Sequence, residues 1–410
     1  MGKNILMESL RLNNPKTSYF DPSAVAVSYK TGFPILDYYL GYRVNVYDDN
    51  NELISTYPSI GIAGGCFVTS IGKPSTGKTT MTIQIAANMV RNFDNGSIIH
   101  YDLEQGQNYS RIQNLTRFSM REIEEGRYIL RQEQNSINDI KAAIMQIYRE
   151  KKSNPEAYKY NTGKLNEFGK EIWQYEPTVV IIDSIPMLST HINENDKKEA
   201  AKLEEVSSQT DRMRLTGEIG RFYTEIAPYI KETNITVFSI NQIKVNPGMG
   251  IIKSPAEILY LKQDEALPGG KSPQFLANIL LRFNAIGSEK YTKEDDGFDG
   301  FGLRLDIIKS RTNQAGQSLN LIYDKVKGVD SLRSSVRYAS ELGLLGGNKN
   351  GYYLQDNKDH KFTKVNMHDD FKEDKELYKI LYGIIIPPLE QRLSSITPEE
   401  MNIPDEEFDY

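Results

Sequence analysis

The sequence predicts an α/β fold built on a central, mostly parallel, twisted β-sheet. A glycine-rich motif lies between an apolar strand and a helix, apolar runs of strand length alternate with helical stretches, and several runs end in polar side chains. Strands that alternate with helices usually pair in parallel, because each helix crosses over the sheet. The predicted strands are Cys66 to Ile71, Ile98 to Asp102, Tyr128 to Arg131, Thr178 to Asp183, Ile235 to Ile240, Ala277 to Phe283, Leu303 to Lys309 and Leu319 to Tyr323.

The glycine-rich motif matches G-x-x-x-x-G-K-[ST], a loop that surrounds the phosphates of a nucleotide. Its glycines let the backbone approach an anion, and the following helix N-terminus is electropositive. We expect the lysine to reach the β- and γ-phosphates of a nucleoside triphosphate and the threonine hydroxyl to coordinate Mg²⁺. A glycine turn with a solvated lysine is the alternative. The predicted nucleotide contacts here are Gly72, Lys73, Pro74, Ser75, Thr76, Gly77, Lys78, Thr79 and Thr80.

Composition narrows the class of protein. The chain has 410 residues, enough for one main domain with smaller additions, and 39% of them are hydrophobic. The mean hydropathy is -0.51. No apolar run approaches a membrane span and the N-terminus has no signal-peptide pattern, so we expect no membrane association. The single Cys66 excludes an internal disulfide and a cysteine metal cluster, which fits the cytoplasm.

The net charge of -6 is concentrated at one end of the chain. Residues 398 to 410 contain six acidic and no basic residues; without them, the chain has 49 basic and 49 acidic residues. Such a run is usually a solvated chain end. The alternative is a tail that competes with DNA phosphates for the basic surface of the protein.

Two apolar strands lead into carboxylates suited to metal binding and catalysis. The strand Thr178 to Asp183 ends in an acid that, in a phosphate-loop fold, lies beside the loop and holds the Mg²⁺ shell. The strand from Ile98 ends at Asp102, and Glu104 lies two residues further along the chain. Side chains two residues apart project to the same side of an extended chain. Glu104 is the predicted base that activates water, although either acid could instead cap a turn.

A third apolar strand ends in two amides, Asn241 and Gln242. An amide at this place can bind a γ-phosphate and transmit its presence to the chain that follows. Residues 243 to 273 are rich in Gly, Pro and Lys with little predicted structure, which favours a functional segment. Its charge is only weakly basic, so electrostatics alone does not identify DNA.

This ordered set of motifs resembles the RecA-type strand-exchange recombinases, most closely those of T-even phages, over residues 15 to 355. The signal comprises the phosphate loop, Tyr-Asp-Leu-Glu104, Val-Ile-Ile-Asp183-Ser184, Asn241-Gln242, Gly269-Gly270 and Ile308-Lys309-Ser310-Arg311. The resemblance implies a RecA-like P-loop NTPase core with an N-terminal protomer-docking arm and a small C-terminal region. It also implies a DNA-dependent ATPase that uses ATP and Mg²⁺ and acts in DNA recombination and repair.

The resemblance implies a role for each matching residue. Lys78 and Thr79 would bind phosphate and Mg²⁺, Asp183 would hold Mg²⁺ through water, and Glu104 would activate water. Gln242 would sense the γ-phosphate and couple it to the DNA-binding segment at 243 to 273. The predicted DNA contacts are Lys244, Lys253, Gly269, Gly270 and Lys271, with a shorter DNA loop within 188 to 209.

Two further roles concern the contact between protomers and the binding of the adenine base. Lys309 and Arg311 resemble the pair that reaches across a filament interface to the neighbour's ATP; a solvated strand face is the alternative. Tyr109 resembles the aromatic residue that stacks on adenine. The implied partners are single- and double-stranded DNA, further copies of this chain in a helical filament, a single-stranded-DNA-binding protein and a loader. A phage origin would place the protein in the cytoplasm of a bacterial host.

The domain boundaries follow from these motifs. The predicted units are an N-terminal arm at 1 to 41, a hairpin insertion at 42 to 60, an ATPase core with DNA-binding loops at 61 to 330, a C-terminal region at 331 to 397 and an acidic tail at 398 to 410. Residues 153 to 175 and 284 to 300 are predicted surface insertions.

Two other functions remain open on the sequence. One is a ring-forming helicase or DNA motor on the same fold, in which hydrolysis drives translocation. The other is a non-catalytic mediator that uses ATP as a structural switch, although Glu104 and Asp183 both favour a hydrolytic site.

Overall fold

The structure is a computed structural model, and it describes residues 27–133, 136–188, 207–245, 261, 265–270 and 272–393. Several sequence-based predictions fall on other residues. Those that lie outside the described residues are most of the N-terminal arm, most of the shorter DNA loop, most of the 243 to 273 segment, Lys253, Lys271 and the acidic tail.

A nine-stranded sheet forms the centre of the molecule, in the order β17-β16-β15-β14-β5-β11-β10-β6-β7, and short two-stranded sheets surround it. The strands are β1 (Ser28–Tyr29), β2 (Tyr42–Tyr47), β3 (Leu53–Ser59), β4 (Ile62–Ala63), β5 (Phe67–Gly72), β6 (Ser97–Asp102), β7 (Tyr128–Arg131), β8 (Lys159–Leu165), β9 (Glu171–Tyr175), β10 (Thr178–Asp183), β11 (Ile235–Gln242), β12 (Lys244–Val245), β13 (Glu265–Ala266), β14 (Ile279–Tyr291), β15 (Gly300–Ser310), β16 (Gln317–Asp324), β17 (Gly328–Asp330), β18 (Leu345–Asn348) and β19 (Gly351–Leu354).

Helices cover both faces of this sheet. A π-helical turn at Ile123–Arg127 and a 3-10 turn at Ile185–Met187 accompany the α-helices. The α-helices are α1 (Pro34–Leu40), α2 (Lys78–Val90), α3 (Tyr109–Thr116), α4 (Met120–Glu122), α5 (Ile137–Ser153), α6 (Pro155–Tyr158), α7 (Ser207–Glu232), α8 (Ser272–Leu276), α9 (Lys293–Asp296), α10 (Ser331–Glu341), α11 (Met367–Glu373) and α12 (Glu376–Glu390). Among the helices so described, none is both long and apolar enough to cross a bilayer.

The sheet is parallel in one half and antiparallel in the other. Strands β14, β5, β11, β10, β6 and β7 run parallel to one another, whereas β15, β16 and β17 join the sheet by antiparallel pairs, with β15 beside β14. In the register, Asp183 is the partner of both Asp102 and Ile240, and Gln242 is the partner of Gly72. The polar strand ends therefore meet at one edge of the sheet.

Apolar strands explain why this sheet lies inside the protein. Every residue of β5 and β10 is buried, as expected of parallel strands covered on both faces. Alternate side chains enter two cores: Val68 and Ile181 pack on the face of α2, and Phe67 and Val180 pack on the face of α5 and α7. The two cores fix the strands, and hence the polar residues at their ends, in place.

The predicted fold class is confirmed: the protein has an α/β core with a large, mostly parallel central sheet. Two predicted strands, Tyr128 to Arg131 and Thr178 to Asp183, have the predicted bounds. Helix α5 begins at a capping box, in which Ser136 and Asp139 exchange side-chain and backbone hydrogen bonds.

The predicted surface insertion at 284 to 300 begins as part of the main sheet. Residues 284–291 continue β14, and all of them except 287–289 pair antiparallel with β15. Their polar character reflects a strand face with cross-strand polar pairs, in which Asn284 Nδ2 donates to Asp306 Oδ2 at 2.9 Å. Polarity alone does not distinguish such a face from a loop.

Two hairpins lie beside the core. Strands β2 and β3 pair with each other, and β8 pairs with β9 within the segment 153–175. The hairpins contact one another, because the Tyr57 hydroxyl donates to the carbonyl of Leu165 at 2.6 Å and the amide of Tyr47 donates to that of Glu167 at 3.1 Å. Neither hairpin contributes a strand to the nine-stranded sheet.

A buried lysine joins helix α5 to the chain around it. Lys151 is only 2% exposed, and its ammonium donates to the carbonyl oxygens of Glu176 at 2.7 Å and Thr233 at 3.0 Å. Burial lowers the pKa of Lys151 to about 7, against a smaller opposing effect of the Glu176 carboxylate. The folded protein therefore binds a proton at this site less strongly than the unfolded chain does.

This difference predicts a pH dependence of stability. Between pH 7 and 9 the unfolded lysine keeps its proton while Lys151 in the folded protein loses it, so the free energy of unfolding rises with pH by up to about 1.4 kcal/mol per unit. A Lys151→Met variant lacks this contribution. Urea denaturation midpoints at both pH values measure the difference, and parallel pH profiles for the two proteins would contradict the prediction.

Candidate nucleotide site

The glycine-rich loop connects β5 to α2 in a conformation that requires glycine. Gly77, immediately before α2, has a φ of 84°, and a β-carbon there would lie 2.8 Å from the ring of Tyr323. A larger residue would thus be strained by its backbone and would clash with a ring of the antiparallel half of the sheet. The close approach holds the helix N-terminus against the loop.

Lys78 is the first residue of α2, and its side chain returns over the loop. It is only 6% exposed, and its ammonium donates to the carbonyl of Lys73 at 2.6 Å. Burial lowers the pKa of Lys78 to about 8, while Asp183 and Glu104 act in the opposite direction. An ammonium enclosed by the loop in this way is suited to a phosphate anion.

Thr79 and Asp183 join the loop to the end of β10. The Thr79 hydroxyl donates to Asp183 Oδ2 at 2.7 Å, and Asp183 is buried. A hydroxyl and a carboxylate beside a phosphate loop are oxygen donors, which Mg²⁺ prefers. These residues fit a nucleotide-bound Mg²⁺: Thr79 would ligate the ion, and Asp183 would hold its water.

Glu104 lies at the same edge, held by donors from two strand ends. Its Oε1 accepts hydrogen bonds from the Ser184 hydroxyl at 2.6 Å and from Gln242 Nε2 at 2.7 Å. Ser184 directly follows β10, and Gln242 ends β11. The predicted base and the predicted γ-phosphate sensor are therefore in direct contact.

Asp102 has a different environment from Glu104. Its carboxylate is 1% exposed and accepts from the backbone amides of Gly106 and Gln107 and from the side chain of Gln132. These contacts shape the loop between β6 and α3, which is the turn-capping alternative considered above. Glu104, by contrast, lines the cavity beside the phosphate loop.

The cavity beside the loop has a volume of about 510 Å³, which suits a nucleotide. On the side away from Glu104 it is closed by a stacked aromatic pair, Phe301 and Tyr323, whose centroids are 4.6 Å apart. Lys325 completes this wall. The lining residues are Pro74, Ser75, Thr76, Gly77, Lys78, Thr79, Thr80, Glu104, Asp183, Ile240, Gln242, Phe301, Tyr323 and Lys325.

Tyr109, predicted to stack on the base, is not one of these lining residues. It is 45% exposed at the start of α3. Its neighbour Arg111 lies closer, since its guanidinium donates to the carbonyls of Lys325 at 3.3 Å and Val326 at 2.5 Å and contacts Thr80 Oγ1 at 3.4 Å. Arg111 therefore braces the wall of the cavity.

Lys309 and Arg311 lie away from the phosphate loop of their own chain. Lys309 pairs with Leu280 near the start of β14, and Leu280 pairs with Thr69, three residues before Gly72. The Lys309 ammonium donates to the carbonyl of Phe275 at 2.6 Å. Burial, and secondarily Arg311, lowers the pKa of Lys309. Neither cation lines the cavity of its own chain.

The predicted DNA-binding residues fall into separate environments. Lys244 is exposed on β12, directly after Gln242 and Ile243. Gly269 and Gly270 have φ values of 83° and 79°, and β-carbons there would lie 2.6 Å from Ile185 and 2.4 Å from Thr216. Both glycines are thus required by a tight turn against the core, whatever else they contact.

The ends of the predicted DNA-binding segment are tied to the core. Asn241 Nδ2 donates to the carbonyl of Pro268 at 2.8 Å, just before the glycine pair. On β13, Glu265 accepts from Arg282 of β14 at 3.0 Å with both carboxylate oxygens. The end of β11 is thus joined to both ends of this segment, through the chain at Ile243 and through Asn241 at Pro268.

The residues that sequence reasoning missed at this site include Ser184 as a partner of Glu104, and Phe301, Tyr323 and Lys325 as cavity walls. Ser184 follows the metal carboxylate, so its position was a usable signal. The other three come from β15, β16 and the following turn in the antiparallel half of the sheet. These strands pair antiparallel, so the rule that polar groups gather at the carboxyl ends of parallel strands does not apply to the three residues.

Known proteins that are similar to this chain are found among solved structures. Neither protein-family profiles nor curated protein sequences gave a match. Among solved structures, the crystal structure of the RadB recombinase is similar with a TM-score of 0.37 and 17% sequence identity, covering 66% of this chain and 92% of that one. The functional assignment therefore depends on the residues of this chain.

The lowered pKa of Lys78 predicts a pH-dependent affinity for nucleotide. As pH rises through about 8, Lys78 in the free protein loses the charge of its ammonium group. A bound phosphate keeps this ammonium group protonated, so the affinity for ADP should fall about tenfold between pH 7 and 9. Titration calorimetry with Mg²⁺ and ADP measures this. The Lys78→Met variant should bind weakly and without this pH step; a constant affinity in the unsubstituted protein would contradict the prediction.

Proposed function

We propose that this protein is a DNA-dependent ATPase of homologous recombination and repair. It forms helical filaments on single-stranded DNA and pairs that strand with a homologous duplex. The observation that carries the proposal is the hydrogen bond from Gln242 to Glu104. It places the candidate base in contact with the residue from which the predicted DNA-binding segment begins.

The arrangement supports hydrolysis of a bound triphosphate. The loop amides and the Lys78 ammonium bind the phosphates, and Glu104 orients and deprotonates a water near the γ-phosphate. Thr79, and Asp183 through water, would hold a Mg²⁺ ion that would neutralise phosphate charge. Phe301 and Tyr323 enclose the other end of the cavity.

The same arrangement supports coupling to DNA. Gln242 Nε2 donates to Glu104 Oε1. A γ-phosphate is a competing acceptor for that amide, and the exchange of partners frees Glu104 and shifts the end of β11. Since Gln242 directly precedes the DNA-binding segment and Asn241 is bonded to Pro268 near its other end, the shift would be passed to both ends.

Contacts with DNA would follow the backbone and the base faces. Such binding has little sequence preference and weakens steeply with salt. Lys244, which is exposed one residue beyond Ile243, is the described cation closest in sequence to the sensor. The resemblance of the ordered motifs to those of RecA-type strand-exchange recombinases supports strand exchange over a ring-forming motor.

Lys309 and Arg311 complete the proposal at the interface between protomers. Both lie away from their own phosphate loop, so a catalytic role requires the ATP of a neighbour. Cations supplied across an interface stabilise the charge that develops during phosphoryl transfer. The ATP would then be enclosed between two copies of the chain.

Replacing the candidate base tests hydrolysis. Glu104→Gln keeps the size and the polar contacts of the side chain but cannot accept the proton of water, so ATP turnover should fall by about 10²- to 10⁴-fold. ADP affinity should change little. Steady-state ATPase rates with and without single-stranded DNA measure the effect.

The exposed carboxylate Glu52 on the loop between β2 and β3 offers a matched control. Glu52→Gln should leave turnover unchanged. Hydrolysis by the Glu104→Gln variant at the unsubstituted rate would remove Glu104 from its role, and the absence of hydrolysis by the unsubstituted protein under all conditions would favour a non-catalytic mediator. Negative-stain images with DNA and a slowly hydrolysed ATP analogue distinguish filaments from closed rings.

A mixing experiment tests whether Lys309 and Arg311 act on a neighbour. The Glu104→Gln variant and a Lys309→Ala/Arg311→Ala variant should each be inactive alone. In an equal mixture, about a quarter of head-to-tail interfaces would combine an intact Glu104 with intact cations, and that share of ATPase activity should return. No recovery, or full activity of the Lys309→Ala/Arg311→Ala variant alone, would contradict the role across the interface.

A further inference from the structure

A buried histidine lies beside the metal carboxylate and has no part in the mechanism above. His100 is on β6 and is 0% exposed. Its Nδ1 is 2.7 Å from the hydroxyl of Tyr128, and its Nε2 is 3.8 Å from Asp183 Oδ2. Among the described residues, Nε2 has no hydrogen-bond partner.

The surroundings of the ring select its tautomer. Burial raises the pKa of Tyr128 well above its usual value, so the phenol keeps its hydrogen and can donate it to Nδ1. The imidazole hydrogen is then on Nε2. The other tautomer would direct a bare nitrogen lone pair at the Asp183 carboxylate, which is repulsive at a site shielded from water.

The Nε2–H group therefore faces Asp183. At 3.8 Å the two atoms are farther apart than the roughly 3.2 Å limit of a hydrogen bond, so the attraction at this distance is between a charge and a dipole. The same oxygen, Oδ2, accepts from the Thr79 hydroxyl at 2.7 Å. His100 on β6 and Thr79 on α2 thus both face the same carboxylate oxygen of Asp183.

The sheet fixes the histidine in relation to the carboxylate. His100 pairs with Ile181 in the parallel register of β6 and β10, and Asp183 lies two residues beyond Ile181. Residues two apart in a strand project from the same face. No loop lies between the ring and the carboxylate, so their relative placement is set by backbone pairing.

A metal ligand is the obvious alternative role for this ring. The ligand atoms of His100, Asp102 and Asp183 all lie within 4.8 Å of one another. However, the Asp102 carboxylate already accepts from Gly106, Gln107 and Gln132. Only two ligands remain, fewer than the three or four protein ligands typical of a zinc site.

We propose that His100 is a positioning residue that orients Asp183 toward the Mg²⁺ of a bound nucleotide, with Tyr128 fixing the ring in its turn. The inference rests on the proposed function of the site. Mg²⁺ demands near-ideal octahedral geometry, so the orientation of a carboxylate that holds its water affects affinity. Mutation of a residue that hydrogen-bonds to a metal-binding carboxylate or imidazole typically lowers metal affinity 10- to 100-fold.

Binding of Mn²⁺ in the presence of ADP, followed by electron paramagnetic resonance, tests this role without relying on turnover. His100→Phe keeps an apolar ring of similar size and removes the N–H group, so Mn²⁺ affinity should fall about 10- to 100-fold. His100→Gln restores an N–H donor and should recover most of the loss. Tyr128→Phe removes the hydroxyl that fixes the tautomer of His100. We expect this variant to lose less Mn²⁺ affinity than His100→Phe.

Two controls separate positioning from other effects. ADP affinity measured in EDTA should be the same in all variants, since no metal is then held; a parallel loss there would show a merely structural role. Zn²⁺ or Mn²⁺ titrated without nucleotide should bind neither the unsubstituted protein nor His100→Phe. Tight binding by the unsubstituted protein that His100→Phe abolishes would make His100 a ligand and overturn the proposal.

The outcome also distinguishes this inference from the proposed function. If the unsubstituted protein binds no nucleotide, the proposed function fails. If it binds Mn²⁺ and ADP and His100→Phe does so equally well, only the positioning role fails. Should His100→Phe not fold, Tyr128→Phe and His100→Gln decide: equal Mn²⁺ affinity in Tyr128→Phe and the unsubstituted protein overturns the proposal.

Discussion

The parallel register of β5, β11, β10 and β6 is the constraint on which the site depends. It brings Gly72, Asp183 and Gln242 to one edge of the sheet although they are far apart in sequence. Since these strands are buried on both faces, a slip in register would expose apolar side chains and move every polar strand end. The burial that stabilises the sheet thereby also fixes the positions of the polar groups at the site.

The candidate site combines groups whose charges oppose one another. Lys78 is enclosed near two carboxylates, yet burial still lowers its pKa, so the site favours an anion that would restore the charge of the ammonium. Glu104 is held by two neutral donors, Ser184 and Gln242, rather than by a cation. A carboxylate held in this way can exchange one donor for a water without breaking an ion pair.

The contacts of β11 link nucleotide and DNA in the proposed mechanism. Its last two residues bond in different directions: Asn241 to Pro268, before the glycine turn, and Gln242 to Glu104, in the cavity. One strand end therefore contacts both the hydrolytic group and the segment predicted to bind DNA. A change in one contact alters the other because the two residues are adjacent.

The sequence by itself determined the α/β class, the phosphate loop and the candidate groups Glu104, Asp183 and Gln242. These are local signals: a glycine pattern sets a loop, and an apolar run that ends in a polar residue places that residue at the carboxyl edge of a parallel sheet. Only the tertiary structure decided that Tyr323 rather than Tyr109 lines the cavity, and that His100 faces Asp183. Both depend on pairing between distant strands, which leaves no periodic trace in the sequence.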